Sequence, residues 1–168
     1  VELYDGLIIV APHAFENCAS LTEVKIPSTV RVIGDSSFVG CVKLQTIVIP
    51  SSVQSIGANA FTGCSILNVV KIGSGTKSIS TYAFDNMEGL TSFEVDENNN
   101  YYSAVNGALL DGKHQTIIRV PEALNNFVIP ETVTKIEEGS FKKSKIENIV
   151  LPSSVQTIGK NAFLKSSL

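Results

Sequence analysis

The apolar positions of this chain recur at a nearly constant interval of about 23 residues. The interval is the same at each step from Leu21 to Leu90, lengthens once between Leu90 and Leu124, and then returns to almost its first value. Self-similarity with a period of this size is typical of a solenoid, in which each repeat forms one coil stacked on the previous one. The first apolar set is Leu21, Leu44, Leu67, Leu90, Leu124, Ile146 and Leu168, and a second set is Phe15, Phe38, Phe61, Phe84, Phe141 and Phe163.

The first segment of each coil predicts a short strand. Within it, Val24 and Ile26 alternate with Glu23 and Lys25, which indicates a strand with one buried face. The following proline ends the strand because it has no N–H to donate. The segment has the form Leu-x-x-Val-x-Ile-Pro and occurs at 21–27, 44–50, 124–130 and, more loosely, 146–152.

A second segment, Ser-x-Val-x-x-Ile-Gly, occurs at 28–34, 51–57 and 153–159. It predicts a turn and a second short strand on another side of the coil, with glycine allowing the corner. Proline and glycine recur every few residues, so no coil is expected to be helical.

The coil between Leu90 and Leu124 is about half as long again as the standard coil and lacks the phenylalanine. Two apolar runs, 108–110 and 117–118, flank Asp111-Gly112. An Asp-Gly pair between apolar runs predicts a β-hairpin. We therefore expect residues 96–123 to form a long variant coil with a β-hairpin excursion.

Two interpretations of this coil stay open. It is either a recognition site that includes the adjacent Tyr101 and Tyr102, or a structural module that interrupts the stack. The acidic stretch Glu94, Asp96 and Glu97, together with the three asparagines 98–100, could bind Ca²⁺ through its oxygens. The spacing matches neither an EF-hand loop nor a Gly-Asp-rich nonapeptide repeat, so a solvated turn is the preferred interpretation.

Other candidate chemistry is sparse. Cys18, Cys41 and Cys64 are separated by one repeat each and predict a ladder of buried free thiols, with a disulfide as the alternative. No C-x-x-C spacing is present, so a metal site is not expected. His13 and His114 lie in different coils, which leaves no catalytic set and no cofactor site to assemble. We expect both histidines to be solvated.

Composition excludes some classes of partner. The net charge is −3 and no basic block stands out, so neither nucleic acid nor a membrane surface is an expected partner. The apolar runs are far shorter than the roughly 20 residues of a transmembrane helix. Both Val1 and Leu168 fall within repeats, so we expect a fragment of a longer array whose bare apolar ends allow end-to-end self-association.

The outward strand positions are the candidate partner-binding residues, because stacked strands form the extended surface that repeat proteins use. They combine both charge signs with exposed valines, and Val48, Val69 and Val150 could form a small apolar patch. The candidate set, which includes the two tyrosines, is Glu23, Lys25, Thr46, Val48, Val69, Lys71, Ser92, Glu94, Tyr101 and Tyr102; Asn148 also faces outward.

The string IPSSVQSIGANAFTGCSIL at 49–67 resembles the BspA-like, or Treponema-type, leucine-rich repeat. Nearly the whole chain follows this pattern, and the long coil resembles a variant repeat of the same family. The resemblance implies a leucine-rich-repeat solenoid: a right-handed coil of short parallel strands, mostly β and loop with little helix, and a period of about 23 residues. Residues 1–168 would form one such solenoid.

The resemblance also implies a non-catalytic protein that is secreted or attached to the cell surface, as in host-associated bacteria. Members of the family are linked to adhesion to host proteins such as fibronectin and fibrinogen. We therefore expect a protein-binding or adhesion module whose partners include host extracellular-matrix or surface proteins. A structural stalk that presents another domain is the alternative.

Overall fold

Parallel pairing between successive coils builds this structure. The computed structural model describes residues 1–168 and contains twelve short strands joined by turns. It has no helix, and therefore none that could span a membrane. The strands are β1 (Ile9–Val10), β2 (Val32–Ile33), β3 (Ile47–Ile49), β4 (Ser55–Ile56), β5 (Val69–Ile72), β6 (Ser78–Ile79), β7 (Ser92–Val95), β8 (Tyr102–Val105), β9 (Ala108–Asp111), β10 (Thr116–Arg119), β11 (Lys135–Ile136) and β12 (Thr157–Ile158).

Two parallel sheets run along the first coils. One has the order β1-β2-β4-β6 and the other the order β3-β5-β7. Each residue pairs with its equivalent in the next coil, as Ile33 does with Ile56 and Ile47 with Val70. This register of one repeat confirms a solenoid of short parallel strands with the period that the sequence predicts.

The alternation in the first segment has the predicted burial. Val24 and Ile26 are buried, whereas Glu23 and Lys25 are exposed. In this early coil the pairing is reduced to isolated parallel bridges, and it becomes a continuous ladder at β3, β5 and β7. The second segment forms the predicted second strand at β2, β4 and β12.

Stacked aromatic rings fill the core. The ring centroids of Phe38 and Phe61 are 5.3 Å apart, with an interplanar angle of 2°. Phe15 and Phe84 extend this stack in the two directions at 5.2 and 5.6 Å. Because equivalent side chains point in parallel, each coil covers the apolar face of its neighbour, which a single coil could not bury alone.

The glycine at the corner is required for a reason other than backbone freedom. Gly34 and Gly57 do not adopt positive φ. Instead, a Cβ added to Gly34 would lie 2.5 Å from the backbone nitrogen of Pro12, and one added to Gly57 would lie 2.5 Å from that of Asp35. The coils therefore approach too closely at this corner for any side chain.

Residues 96–123 bring antiparallel pairing into the stack. β8 pairs with β9 across Asn106-Gly107, and β9 pairs with β10 across the turn that begins at Asp111-Gly112. Asn106 and Gly107 both have positive φ, 49° and 86°, as a type I′ hairpin requires. β10 then resumes parallel pairing with β11, so this coil separates two sets of parallel strands.

The variant coil also joins two apolar cores. One core has 25 buried residues and the other has 11. Leu109 belongs to the larger core and Leu110 to the smaller, because successive side chains of β9 point to opposite faces. The antiparallel strands are thus packed into the body of the solenoid.

Candidate functional site

The outward side of β3, β5 and β7, with the bridged residues before them, forms a surface that we call the strand face. Val48 pairs with Lys71 and Lys71 with Glu94, which places these three in one row. A second row contains Val69 paired with Ser92. Eight of the ten predicted partner-binding residues lie in these rows: Glu23, Thr46, Val69 and Ser92 in one, and Lys25, Val48, Lys71 and Glu94 in the other.

Charge and apolar surface alternate along the row that contains Lys71. Lys71 Nζ lies 2.8 Å from Glu94 Oε2, and both side chains are 54% exposed. An exposed pair of this kind contributes little to stability, so both groups remain available to a partner. Val48 is 58% exposed beside Lys71 and adds an apolar contact point.

The two tyrosines have different environments. Tyr101 is exposed, but the Tyr102 hydroxyl accepts a hydrogen bond from Ile79 N–H of β6 at 2.9 Å. Burial raises the pKa of Tyr102. The structure therefore places Tyr102 at the edge of the sheet β1-β2-β4-β6 rather than on the strand face.

The asparagine-rich turn is held by internal hydrogen bonds. Asn99 is buried and donates to the carbonyl oxygens of Gly73 and Thr76, at 2.9 and 3.1 Å. Its own side-chain oxygen accepts from the N–H groups of Tyr101 and Tyr102. No group of three or more His, Cys, Asp or Glu side chains in the chain is arranged to hold a metal ion.

The cysteine ladder differs in part from the prediction. All three cysteines are free, and Cys41 and Cys64 are buried as predicted, but Cys18 is exposed. The Cys41 and Cys64 thiols donate to the carbonyl oxygens of Phe15 and Phe38 in the preceding coils. Burial raises the pKa of Cys41 to about 11 and that of Cys64 to about 12, so both stay protonated and unreactive at neutral pH.

His13 is exposed, as predicted, and its Nδ1 lies 2.6 Å from Glu16 Oε2. His114 is also exposed and lies in the β9–β10 turn. The structure does not bring the two histidines into a common site.

A cleft of about 260 Å³ opens where the variant coil interrupts the sheet β1-β2-β4-β6, and we call it the junction cleft. One wall is formed by residues 79–85 and the other by residues 118–119 and 137–139, with Tyr102 between them. Its lining combines apolar and aromatic side chains with the acidic Asp85, Glu137 and Glu138 and the basic Arg119. The cleft exists because β6 does not pair with β10, which is bonded to β9 and β11 instead.

A buried ionic cluster lies at the base of the cleft. Arg119 Nη2 is 2.8 Å from Glu122 Oε1 and 3.5 Å from Asp85 Oδ1, and its Nη1 donates to the Gly139 carbonyl at 2.8 Å. Lys142 Nζ forms an ion pair with Asp85 Oδ2. Burial lowers the pKa of Arg119 and raises that of Glu122, and their mutual attraction opposes both shifts.

One hydrogen bond crosses the mouth of the cleft. The Tyr82 hydroxyl donates to Glu138 Oε1 at 2.6 Å, and this bond raises the pKa of Tyr82. Lys142 Nζ lies 5.5 Å from the centroid of the Tyr82 ring.

Sequence reasoning missed this cluster and cleft, apart from Tyr102. Two signals were present: Arg119 stands inside the otherwise apolar run 117–120, and Asp85 directly follows the core residue Phe84. Charged residues at core positions are almost never buried without partners. The sequence did not indicate which partners they have.

Comparisons with known proteins identify a family whose repeat pattern matches this chain. The family described as "BspA type Leucine rich repeat region" matches the chain in six copies, over residues 1–105 and 121–168. The unmatched residues, 106–120, include β9 and β10. No curated protein matches the chain.

Solved structures share the fold. A leucine-rich repeat protein from Eubacterium ventriosum is 25% identical, with a TM-score of 0.80 over 98% of this chain and 50% of that one. The pneumococcal vaccine antigen PcpA is 18% identical, with a TM-score of 0.65 over 96% and 56%. A leucine-rich cell surface protein from Faecalibacterium prausnitzii is 22% identical, with a TM-score of 0.58 over 99% and 59%. The chain thus spans about half the length of these proteins.

Proposed function

The chain belongs to the BspA-type leucine-rich repeat family, and on this premise we propose that it is a protein-binding, adhesive module of a cell-surface or secreted protein. Its partners are proteins of the host surface or extracellular matrix. Proteins built from these repeats are generally non-catalytic, and the proposed role involves no reaction. A hydrolase screen that found turnover abolished by a single substitution would contradict this part of the proposal.

The strand face is the observation that carries the proposal. Hydrogen bonding between β3, β5 and β7 fixes its side chains in register before any partner arrives. Preorganised groups lose little conformational entropy on binding, which favours affinity from a modest surface. The alternation of Lys71, Glu94 and Val48 suits a protein partner with mixed polar and apolar groups better than a polyanion.

The proposed location rests on the family and on two similar structures. The F. prausnitzii protein is described as a cell surface protein, and PcpA as a vaccine antigen. Both descriptions concern those proteins. They support a surface or secreted location for this chain as part of the same proposal.

Solid-phase binding to fibronectin, fibrinogen and other matrix proteins tests the function. We expect saturable binding that falls at least about ten-fold in the variant Lys25→Glu/Lys71→Glu, because reversing both charges disrupts complementarity along one row. The variant Lys113→Glu/Lys160→Glu is the matched control: both lysines are exposed, lie off the strand face and give the same change in net charge. Absence of saturable binding to any matrix or host-surface protein would contradict the proposal.

A structural stalk is the second candidate. It is favoured by the continuous contacts between coils, in which the stacked rings of Phe15, Phe38, Phe61 and Phe84 give the first coils a rigid axis. Sequencing the flanking gene distinguishes the two roles. A distal globular domain together with a wall anchor would favour the stalk over the adhesive module.

A further inference from the structure

The junction cleft leaves one edge of a parallel sheet without a neighbouring strand. In the standard coils, the strand at this position donates to the previous one, as Ser80 N–H does to the Ile56 carbonyl. On the side of β6 that faces the variant coil, the only hydrogen bond is the one that Ile79 N–H donates to the Tyr102 hydroxyl. The gap that results is lined by residues from three successive coils: the coil that contains β6, the variant coil and the coil that follows it.

Glu138 is the acidic group of the cleft that lacks a cation. Asp85 is paired with Arg119 and Lys142, and Glu137 is paired with Lys135 at 2.6 Å. Glu138 is half-buried, forms no ion pair, and receives a single side-chain hydrogen bond, from Tyr82. A partly desolvated carboxylate of this kind gains more from a cation than a fully exposed one does, because less water screens the attraction.

The rings beside Glu138 also favour a cation. Tyr82 and Tyr102 both line the cleft, and Ile118 supplies apolar surface between its walls. The Lys142 ammonium already lies 5.5 Å from the Tyr82 ring centroid. Aromatic faces attract ammonium and guanidinium groups, and the attraction grows as water is excluded.

We propose that the junction cleft binds the guanidinium or ammonium group of a basic side chain from a protein partner, with Glu138 as its counter-ion and the rings of Tyr82 and Tyr102 as its walls. The volume of about 260 Å³ is slightly below the range of drug-sized ligand sites and accommodates one long side chain. This proposal rests on the proposed function only in that the partner is a protein. The cleft itself is separate from the strand face.

Titration of the ¹⁵N-labelled protein with N-acetyl-arginine amide tests the site, with N-acetyl-citrulline amide as the neutral isostere. We expect saturable shifts at the amides of Tyr82, Tyr102 and Glu138, and affinity at least about ten-fold weaker for the citrulline compound. A single charged hydrogen bond is sufficient for a difference of this size.

The variant Glu138→Gln keeps an acceptor for the Tyr82 hydroxyl and removes only the charge. We expect it to weaken arginine binding about ten-fold. Glu147→Gln is the matched control, because Glu147 is exposed, unpaired and outside the cleft, and it should leave the affinity unchanged. Thermal unfolding midpoints within a few degrees of the parent would show that both variants are folded.

Several results would overturn the proposal: equal binding of the arginine and citrulline compounds, shifts that do not saturate, or unchanged affinity in Glu138→Gln. If agmatine bound as tightly as the capped arginine, the cleft would be assigned to free small amines, and the proposal that the basic group comes from a protein partner would be overturned. These outcomes leave the strand-face experiment unaffected, since the variant Lys25→Glu/Lys71→Glu does not alter the cleft. Failure of one proposal is therefore distinguishable from failure of the other.

Discussion

Replacing Arg119 with methionine tests the role of the buried ionic cluster. The Arg119 residue is 7% exposed and binds Glu122, Asp85 and the Gly139 carbonyl at once. In the variant Arg119→Met, Asp85 keeps Lys142, but Glu122 loses its paired cation while remaining buried. Removing one partner from a buried pair costs about 3–5 kcal/mol, since the other charge is left uncompensated.

Urea unfolding followed by circular dichroism measures this loss. With a slope of about 2 kcal/mol per molar urea, a loss of about 4 kcal/mol lowers the midpoint by about 2 M. The double variant Arg119→Met/Glu122→Met should recover most of the loss, because apolar residues of similar volume can replace a buried ion pair at little cost. The Gly139 carbonyl loses one of its two donors in both variants and keeps only the Lys142 N–H at 3.0 Å, so recovery is incomplete.

The pH dependence gives an independent check. Burial already raises the pKa of Glu122, and without Arg119 the opposing attraction is lost. A carboxyl group whose pKa is raised by folding binds its proton more tightly in the native state, so stability increases as pH falls through that pKa. The deficit of Arg119→Met should therefore shrink between pH 7 and pH 5. A loss below about 1 kcal/mol, or a double variant less stable than the single one, would refute this reasoning.

Three further predictions concern the stack. Phe61→Ala should lower the free energy of unfolding by about 3–5 kcal/mol in the same assay, because the ring is fully buried between two others. A loss below about 1 kcal/mol would show that the stacked rings are not the main source of stability in the core. Gly57→Ala should cost about 1–3 kcal/mol because the new Cβ meets the backbone of the preceding coil, and an unchanged unfolding midpoint would show that the coils can separate there. With Ellman's reagent, Cys18 should react within minutes, whereas Cys41 and Cys64 should react only after denaturation; equal rates for all three would contradict the raised pKa values.

Much of the fold was predictable because the repeat imposes the same local solution on each coil. Val24 and Ile26 had to share a buried face, since a strand alternates its side chains, and Pro27 had to end that strand. The rows of the strand face followed from the repeat period alone, because equivalent residues of stacked coils become neighbours. The Asp111-Gly112 pair signalled a hairpin, but the tight turn whose two central residues have positive φ is at Asn106-Gly107, between β8 and β9.

The corner glycine and the cysteine ladder show where repetition misleads. The repeat suggested that Gly57 is needed for its backbone flexibility at the corner. The structure instead requires glycine there because the backbone of the preceding coil leaves no room for a Cβ. Cys18 has the spacing of Cys41 and Cys64 but differs in exposure. Sequence spacing gives the direction of a side chain, whereas its burial depends on what covers it.

The sequence by itself determined the period, the strands and the outward rows, since these follow from local geometry repeated along the chain. Only the tertiary structure decided the junction cleft and its charges. Lys142 meets Asp85, and Tyr82 meets Glu138, across a long stretch of chain in each case, because the antiparallel strands displace the regular stacking. Contacts between coils on either side of an irregular insertion depend on how that insertion packs, and no periodic rule contains that information.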